Sequence, residues 1–311
     1  MLELANLPLA LDGPTVAQNA IDAISRGSFF ALVALGVALI FGVMQLINFA
    51  HGELIMAGGY AMFIFTSEFL DAAVWPLLIL WTLFVSAMFA LAMERLAFRP
   101  VRRESPTTML VTSFAVSTLL VNIAVLVWDS LGRSVPIGGV VLENWFAGDV
   151  RIRKVDVITL GVAAFLLLSL TFFMKRTALG VQIRAASEDF RMAQFLGVKA
   201  NRVIATAFLI SGLLAGAVAL IAVSNSGSVS PAMGLAPLLA GLVATVLGGM
   251  TSLVGAVVGG FVLGGLSTGL EQALPTDLRE FRDAFVYAAV ILILLVRPQG
   301  ILPGRAARER V

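Results

Sequence analysis

Cysteine is absent from the 311 residues, histidine occurs once and tyrosine twice. Without thiols there are no disulfides and no thiolate metal sites, and the redox compartment cannot be read from cysteine usage. Neither H-E-x-x-H nor any Cys/His cluster is present, so the sequence offers no zinc site. The phosphate loop G-x-x-x-x-G-K-[ST] is also missing, so this chain does not cradle ATP by that device. Residues 1–22 lack the basic stretch and compact apolar core of a cleavable signal peptide. Charge is the scarcest commodity: from Val203 to Leu270, 68 residues, no Asp, Glu, Lys or Arg occurs, and thirteen glycines do. Such a run excludes a water-soluble domain and makes lipid the solvent.

The remaining composition agrees, with 59% hydrophobic and 13% charged residues and a mean hydropathy of +0.98. The expected fold is an all-α polytopic membrane bundle over residues 1–311, with roughly eight or nine segments at about 20 residues each. Charges delimit the uncharged stretches Gly27 to Ala50, Leu54 to Ser67, Ala72 to Met93, Ser105 to Trp128 and Val157 to Met174, followed by the long silent run and Ala284 to Val296. The last is short for a span, and its helix is expected to begin near Leu278. Within the silent run, Ser224 to Pro231 reads as a loop after a helix from about Val203 to Val223. Ala236 to Leu270 breaks again at Gly248-Gly249, giving two short spans or a re-entrant hairpin, which a membrane tolerates only beside protein or a cavity.

Lys and Arg set the orientation. The linker Arg95 to Glu104, the loop Lys175 to Arg202 and the tail after Val296 hold 14 of the 21 basic residues and are expected in the cytoplasm. Glu68, Asp71, Asp129, Glu143, Asp149, Asp156, Glu271, Asp277 and Glu280 fall mostly outside, and the N-terminus is expected there too. An odd number of crossings follows, most simply nine, or eight with one segment re-entrant. In the loop from Lys175 to Arg202, Ser187 is the expected N-cap of a helix with Glu188 and Asp189 in its first turn, and Gly197 its stop. Met192, Phe195 and Leu196 then form an apolar stripe facing cytosol or lying on lipid.

Three blocks resemble the permease subunits of ABC importers for branched-chain amino acids, whose relatives import urea and short amides. They are INFAHGELIMAGGYAMF from Ile47, AFRPVRRES from Ala97 and IRAASEDFRMAQFLGVK from Ile183. The likeness runs in the same order over most of the chain. It implies a transport subunit of the bacterial inner membrane with no ATPase activity of its own. The partners it implies are a second homologous permease subunit or a second copy of this chain, separate ATPase subunits that hold the ATP, and an external substrate-binding protein. It also implies that Arg184, Ala185, Glu188, Asp189, Ala193 and Gly197 lie at the contact with the ATPase.

Asn48, His51 and Glu53 form a dense polar cluster early in the bundle. Ionisable groups at membrane depth are costly, which makes the cluster a candidate gate or path. The plainer reading has Asn48 capping a helix near Phe49 while His51 and Glu53 satisfy backbone at a turn. Thr112, Ser113, Ser117 and Asn122 offer further polar groups along an apolar path. The pairs Gly255/Gly259 and Gly260/Gly264, with Gly265/Gly269 and Gly212/Gly216, have the four-residue spacing that lets helices approach closely, within this subunit or against another. Gly265 to Gly269 also matches G-x-S-x-G, the pattern an intramembrane protease using Ser267 and His51 would need, but that motif requires a strand-to-helix turn that a glycine-repeat membrane segment does not supply. The loop Asp129 to Asp156, with Trp145 and Phe146, can dock a binding protein or cap the bundle. The basic loops follow from topology alone and call for no nucleic acid. A freestanding secondary carrier or channel would need more charge within its spans than Glu53.

Overall fold

A computed structural model describes residues 13–68, 75–102, 104–136, 144–147 and 150–302. Arg103, Asp71, Glu143, Asp149, the start of the chain and the arginines of the tail beyond Leu302 lie outside the described residues.

The chain opens with α1 (Gly13–Met44), which continues through Asp22 and Arg26 well before the uncharged stretch begins. A 3-10 turn (Phe49–His51) leads into α2 (Gly52–Glu68). Then α3 (Trp75–Met93) runs without a break through a π-helical stretch (Glu94–Phe98) into the short α4 (Arg99–Val101). Ser105 caps α5 (Pro106–Trp128), its hydroxyl accepting from Thr108 N, with Pro106 at the first helical position, where its missing N–H costs nothing. The helices α6 (Lys154–Arg176), α7 (Ala178–Glu188), α8 (Phe190–Phe195) and α9 (Ala200–Ser226) follow. Last come α10 (Leu235–Gly248), α11 (Leu253–Ala273) and α12 (Arg282–Val296). The final helix is preceded by a 3-10 segment (Thr276–Phe281), so α-helix starts at Arg282 and not near Leu278.

Among the described residues, six helices are long and apolar enough to cross a membrane: those carrying Thr15–Met44, Trp75–Val101, Pro106–Trp128, Lys154–Arg176, Ala200–Ser226 and Leu253–Ala273. The shorter α2, α10 and α12 complete the bundle. At about 21 Å, α10 falls short of a hydrocarbon core. Its last carbonyls are met by the chain beyond α12, where Ile301 N donates to Leu247 O and Leu302 N to Gly248 O, each at 2.9 Å. That closes orphan groups which lipid could not satisfy.

The centre is made of two helix triplets that pack alike. α1 and α9, the first helices of the triplets α1–α2–α3 and α9–α10–α11, lie side by side and are largely buried, and each packs along the second and third helices of the other triplet. α1 packs along α11 and α10; α9 packs along α3 and α2; α2 packs on α3 as α10 does on α11. The pairs run antiparallel: Gly264 meets Gly27 while Gly260 meets Ala31, and Gly216 meets Leu83 while Gly212 meets Ala90. In both triplets the chain turns back after a long helix and starts its second helix part-way, at Gly52 and at Gly234. With α1 expected to enter from outside and α9 from inside, the matching packing reads as an inverted repeat, the arrangement in which membrane transporters build their interior from broken helices.

The outer helices are different in kind. Large apolar side chains of α3, α5, α6 and α12, including Phe84, Phe114, Leu126, Phe172 and Leu295, are exposed, as suits surfaces in contact with hydrocarbon. Among the described residues there are also two small antiparallel strand pairs. β1 (Arg133–Ser134) pairs with β4 (Ser228–Val229), tying the end of α5 to the return after α9; β2 (Asn144–Ala147) pairs with β3 (Val150–Arg153). The hairpin is anchored where Arg153 donates to the buried Asp156 at 2.8 and 2.9 Å, a bond that raises the guanidinium pKa further. Asp156 also accepts from Ser25 of α1 at 2.8 Å.

Candidate functional site

The polar cluster lies where the two half-way helix starts meet. Gly52 and Gly234 are in backbone contact, and a side chain on either would strike the carbonyl of the other. Asn48 sits just before this point in extended conformation (φ −96°, ψ 99°), and its Oδ1 accepts from Ala50 N at 3.0 Å, capping the 3-10 turn. His51 is 1% exposed. Its Nδ1 lies 3.1 Å from Ser211 Oγ of α9, and that hydroxyl donates to Gly36 O of α1 at 3.2 Å. Because the Ser211 proton is used on Gly36, the His51 Nδ1–H is the donor, which fixes the tautomer and links α1, the 3-10 turn before α2 and α9 in one chain. Gly36 has no side chain because the imidazole edge occupies that space.

Glu53, 4% exposed in the first turn of α2, points the other way. Its Oε1 accepts from Ser117 of α5 at 2.8 Å, while Ser113 of the same helix accepts from Phe49 N at 3.3 Å. A carboxylate in the first turn suits the positive end of the helix dipole. Glu53 Oε2 and Asn48 Nδ2 are buried with no hydrogen-bond partner among the described residues, a rare state for groups of this kind. His51 and Glu53 therefore do not satisfy backbone at a tight turn, as the plainer sequence reading had it; each bonds a side chain on a different neighbouring helix.

The glycines of α11 belong to a different structure. Gly260 and Gly264 press on Ala31 and Gly27 of α1, Gly259 on Ala244, and Gly255 on Gly248 of α10. Gly265 and Gly269 face open space. Ser267 lies on α11 beside Leu263 and Arg282, and His51 bonds Ser211 instead, so the G-x-S-x-G match assembles no hydrolase pair.

In the loop between α6 and α9, the helix cap differs from expectation. Ser187 lies inside α7, its hydroxyl returned to Arg184 O at 2.8 Å. Asp189 is the cap, accepting from Met192 N at 2.9 Å and starting α8. Gly197, at φ +89°, ends α8: Val198 N donates to Ala193 O and Gly197 N to Gln194 O, both at 3.0 Å, the paired bonds of a Schellman stop. Ala193 is buried against the core, and Phe190 and Val198 pack beside it. Met192, Phe195 and Leu196 are turned outward, the last two at 85% and 80% exposure. Arg184 and Glu188 stand on α7 at the edge of a cavity, not on the α8 tip.

The sequence reading missed Gly36, Ser211 and Gly234. A signal was present: two Gly-interrupted half-length segments in corresponding places, after α1 and after α9, mark an inverted repeat and the polar junction between its halves.

A helical bundle with broken helices, a polar junction at their meeting point and long apolar helices is the architecture of an integral membrane protein. Residues 19–295 match the family model described as branched-chain amino acid transport system / permease component, and the chain belongs to that family. It is 32% identical to the high-affinity branched-chain amino acid transport system permease protein BraD of Pseudomonas aeruginosa, over 94% of this chain and 97% of that protein. LivH of Escherichia coli, of the same description, is 31% identical over 94% and 97%. Among solved structures, PsaBC from Streptococcus pneumoniae in complex with Fab aligns over 91% of this chain and 94% of that one, at 14% identity and a TM-score of 0.48. The chain is accordingly a permease subunit of an ABC importer, resident in the inner membrane.

Proposed function

We propose that this chain forms one half of the membrane core of an ATP-driven importer of branched-chain amino acids, pairing with a second permease subunit. Separate ATPase subunits would bind and hydrolyse the ATP, and an external binding protein would deliver the substrate. The observation that carries the reading is the α8 tip. Three large apolar side chains, Met192, Phe195 and Leu196, stand exposed on a helix whose ends are fixed by the Asp189 cap and the Gly197 stop. A rigid apolar knob of this kind needs a partner groove. Its base, Ala193, is locked into the same core as α9, so a push on α8 is delivered to Ser211, His51 and the polar junction.

Arg184, Ala185, Glu188, Asp189, Ala193 and Gly197 fit this scheme in different ways. Asp189, Ala193 and Gly197 would hold α8 in position, and Met192, Phe195 and Leu196 would make the contact. A translocation path is supported along α5. Thr108, Thr112, Ala115 and Asn122 fall on one helix face, and the hydroxyls of Thr108's neighbours bond back to their own helix, as Thr112 does to Thr108 O at 2.8 Å. Such a face leaves acceptors turned outward on a helix that is otherwise hardly buried. Its opposite face holds Ser113 and Ser117, the partners of Phe49 and Glu53, so the cluster Asn48, His51 and Glu53 would act as the gate behind it. The exposed Trp145 and Phe146 of the β2–β3 hairpin, with Lys154 Nζ 5.6 Å from the Trp145 ring, suit a docking surface for a delivering protein.

Affinity purification of the tagged chain in mild detergent, with mass spectrometry, tests the assembly. Recovery together with an ABC ATPase and a second permease is expected. Recovery of the chain alone, with ion-driven uptake in proteoliposomes, would replace the proposal by a secondary carrier.

A further inference from the structure

A cavity of about 320 Å³ lies between α1, α6, α7 and α11. Leu39, Leu170 and Val257 are among its walls, and it extends from Leu167 to Lys175 along α6, about 12 Å at 1.5 Å per residue. Thr171 and Val254 line it and are also exposed, so the slot opens between α6 and α11 toward the bilayer. Its other end opens at the cytoplasmic boundary, where Lys175, Arg184 and Glu188 form the mouth. There Ser252 caps α11 and turns the positive end of a 21-residue helix toward the same opening.

The two halves of this space ask for one amphiphile. Water does not fill the apolar part, since each buried water needs two to four polar partners. An empty slot of this size would forfeit the packing on all its walls. At the mouth, Lys175 and Arg184 form no ion pair within the described residues, and with the helix end they present charge to an anion; Glu188 beside them presents charge to an amine. We propose that the slot holds one acyl chain of a cytoplasmic-leaflet phospholipid whose headgroup carries both a phosphate and a primary amine. The phosphate accepts from Lys175 and Arg184, and the ammonium donates to Glu188. Because α7 leads directly into α8, the lipid stands as a spacer between the cytoplasmic helix pair and α11.

Native mass spectrometry tests this on the full chain taken from vesicles of equimolar phosphatidylethanolamine and phosphatidylcholine. One phosphatidylethanolamine per chain is expected to remain bound. Lys175→Glu should lower that retention about tenfold, as loss of one charge-assisted hydrogen bond gives. Arg176→Glu makes the same charge change one residue away, outside the cavity lining, and should retain the lipid as the parent chain does. Thr171→Trp, at an exposed position that tolerates bulk, leaves the mouth intact and fills the slot, and should expel the lipid. Equal retention of phosphatidylcholine, equal loss in the Lys175 and Arg176 variants, or undiminished retention in Thr171→Trp would each overturn the proposal.

Discussion

The two faces of α11 show how this molecule divides its labour. On one face Gly260 and Gly264 bring the helix into backbone contact with α1, where no side chain fits. On the other, a side chain at Gly265 or Gly269 would meet nothing within 4 Å among the described residues. The same residue type at the same spacing is structural on one side and free on the other. The contrast extends to the whole bundle: the inverted triplets around α1 and α9 are sealed by small residues and bonded through Ser211, whereas α5, α6 and α8 turn large side chains outward. Close packing makes the first group a rigid unit, since interiors at crystal-like density respond by discrete shifts and not by gradual deformation. The second group is left to make contacts with lipid and other subunits.

Gly264→Leu attacks the sealed face most directly and should cost at least ~3 kcal/mol, above the usual range for overpacking because backbone atoms must separate; thermal unfolding in detergent measures it. Ser211→Ala strikes the junction and should cost about 1–3 kcal/mol, since the buried His51 Nδ1–H loses its acceptor. Ser211→Thr, which keeps the hydroxyl, should restore part of that stability. Asp189→Ala removes only the α8 cap and should cost about 1 kcal/mol, visible as faster amide exchange at Phe190 to Phe195 with the bundle unchanged. Gly265→Leu, on the open face, should fall within about 0.5 kcal/mol of the parent chain. If Gly265→Leu proved as damaging as Gly264→Leu, the free face of α11 would be an interface, and the comparison would have to be redrawn.

Much of this architecture could be read from the residues. Charge spacing gave the membrane class, and glycine positions gave the stop at Gly197 and the short segments around Gly248. The cap of α8 could not be chosen between Ser187 and Asp189 locally, because both side chains suit the role. Packing decides it: Gly180 lets α7 fold tightly onto Phe173 and Met174 of α6, and the helix then carries on through Ser187. The start of α12 was misplaced for a related reason. Thr276 to Phe281 winds as 3-10 helix while Arg282 reaches Glu271 of α11 at 3.1 Å, a tertiary contact without local trace. The polar junction was half legible. Asn48, His51 and Glu53 announced themselves by type, but their partners are Ser211 and Ser117, 160 and 64 residues away in the sequence.

The exposed tip of α8 is the central claim, and ATP-driven leucine uptake by the complete reconstituted importer tests it most directly. With Phe195 and Leu196 both changed to Asp, uptake and substrate-stimulated ATP hydrolysis should fall to roughly a tenth or less, the loss of one interface anchor being worth about 2 kcal/mol or more. Membrane insertion and thermal stability of the permease should stay as they were, because neither side chain packs on the bundle. Uptake at the parent rate in that double variant would contradict the account.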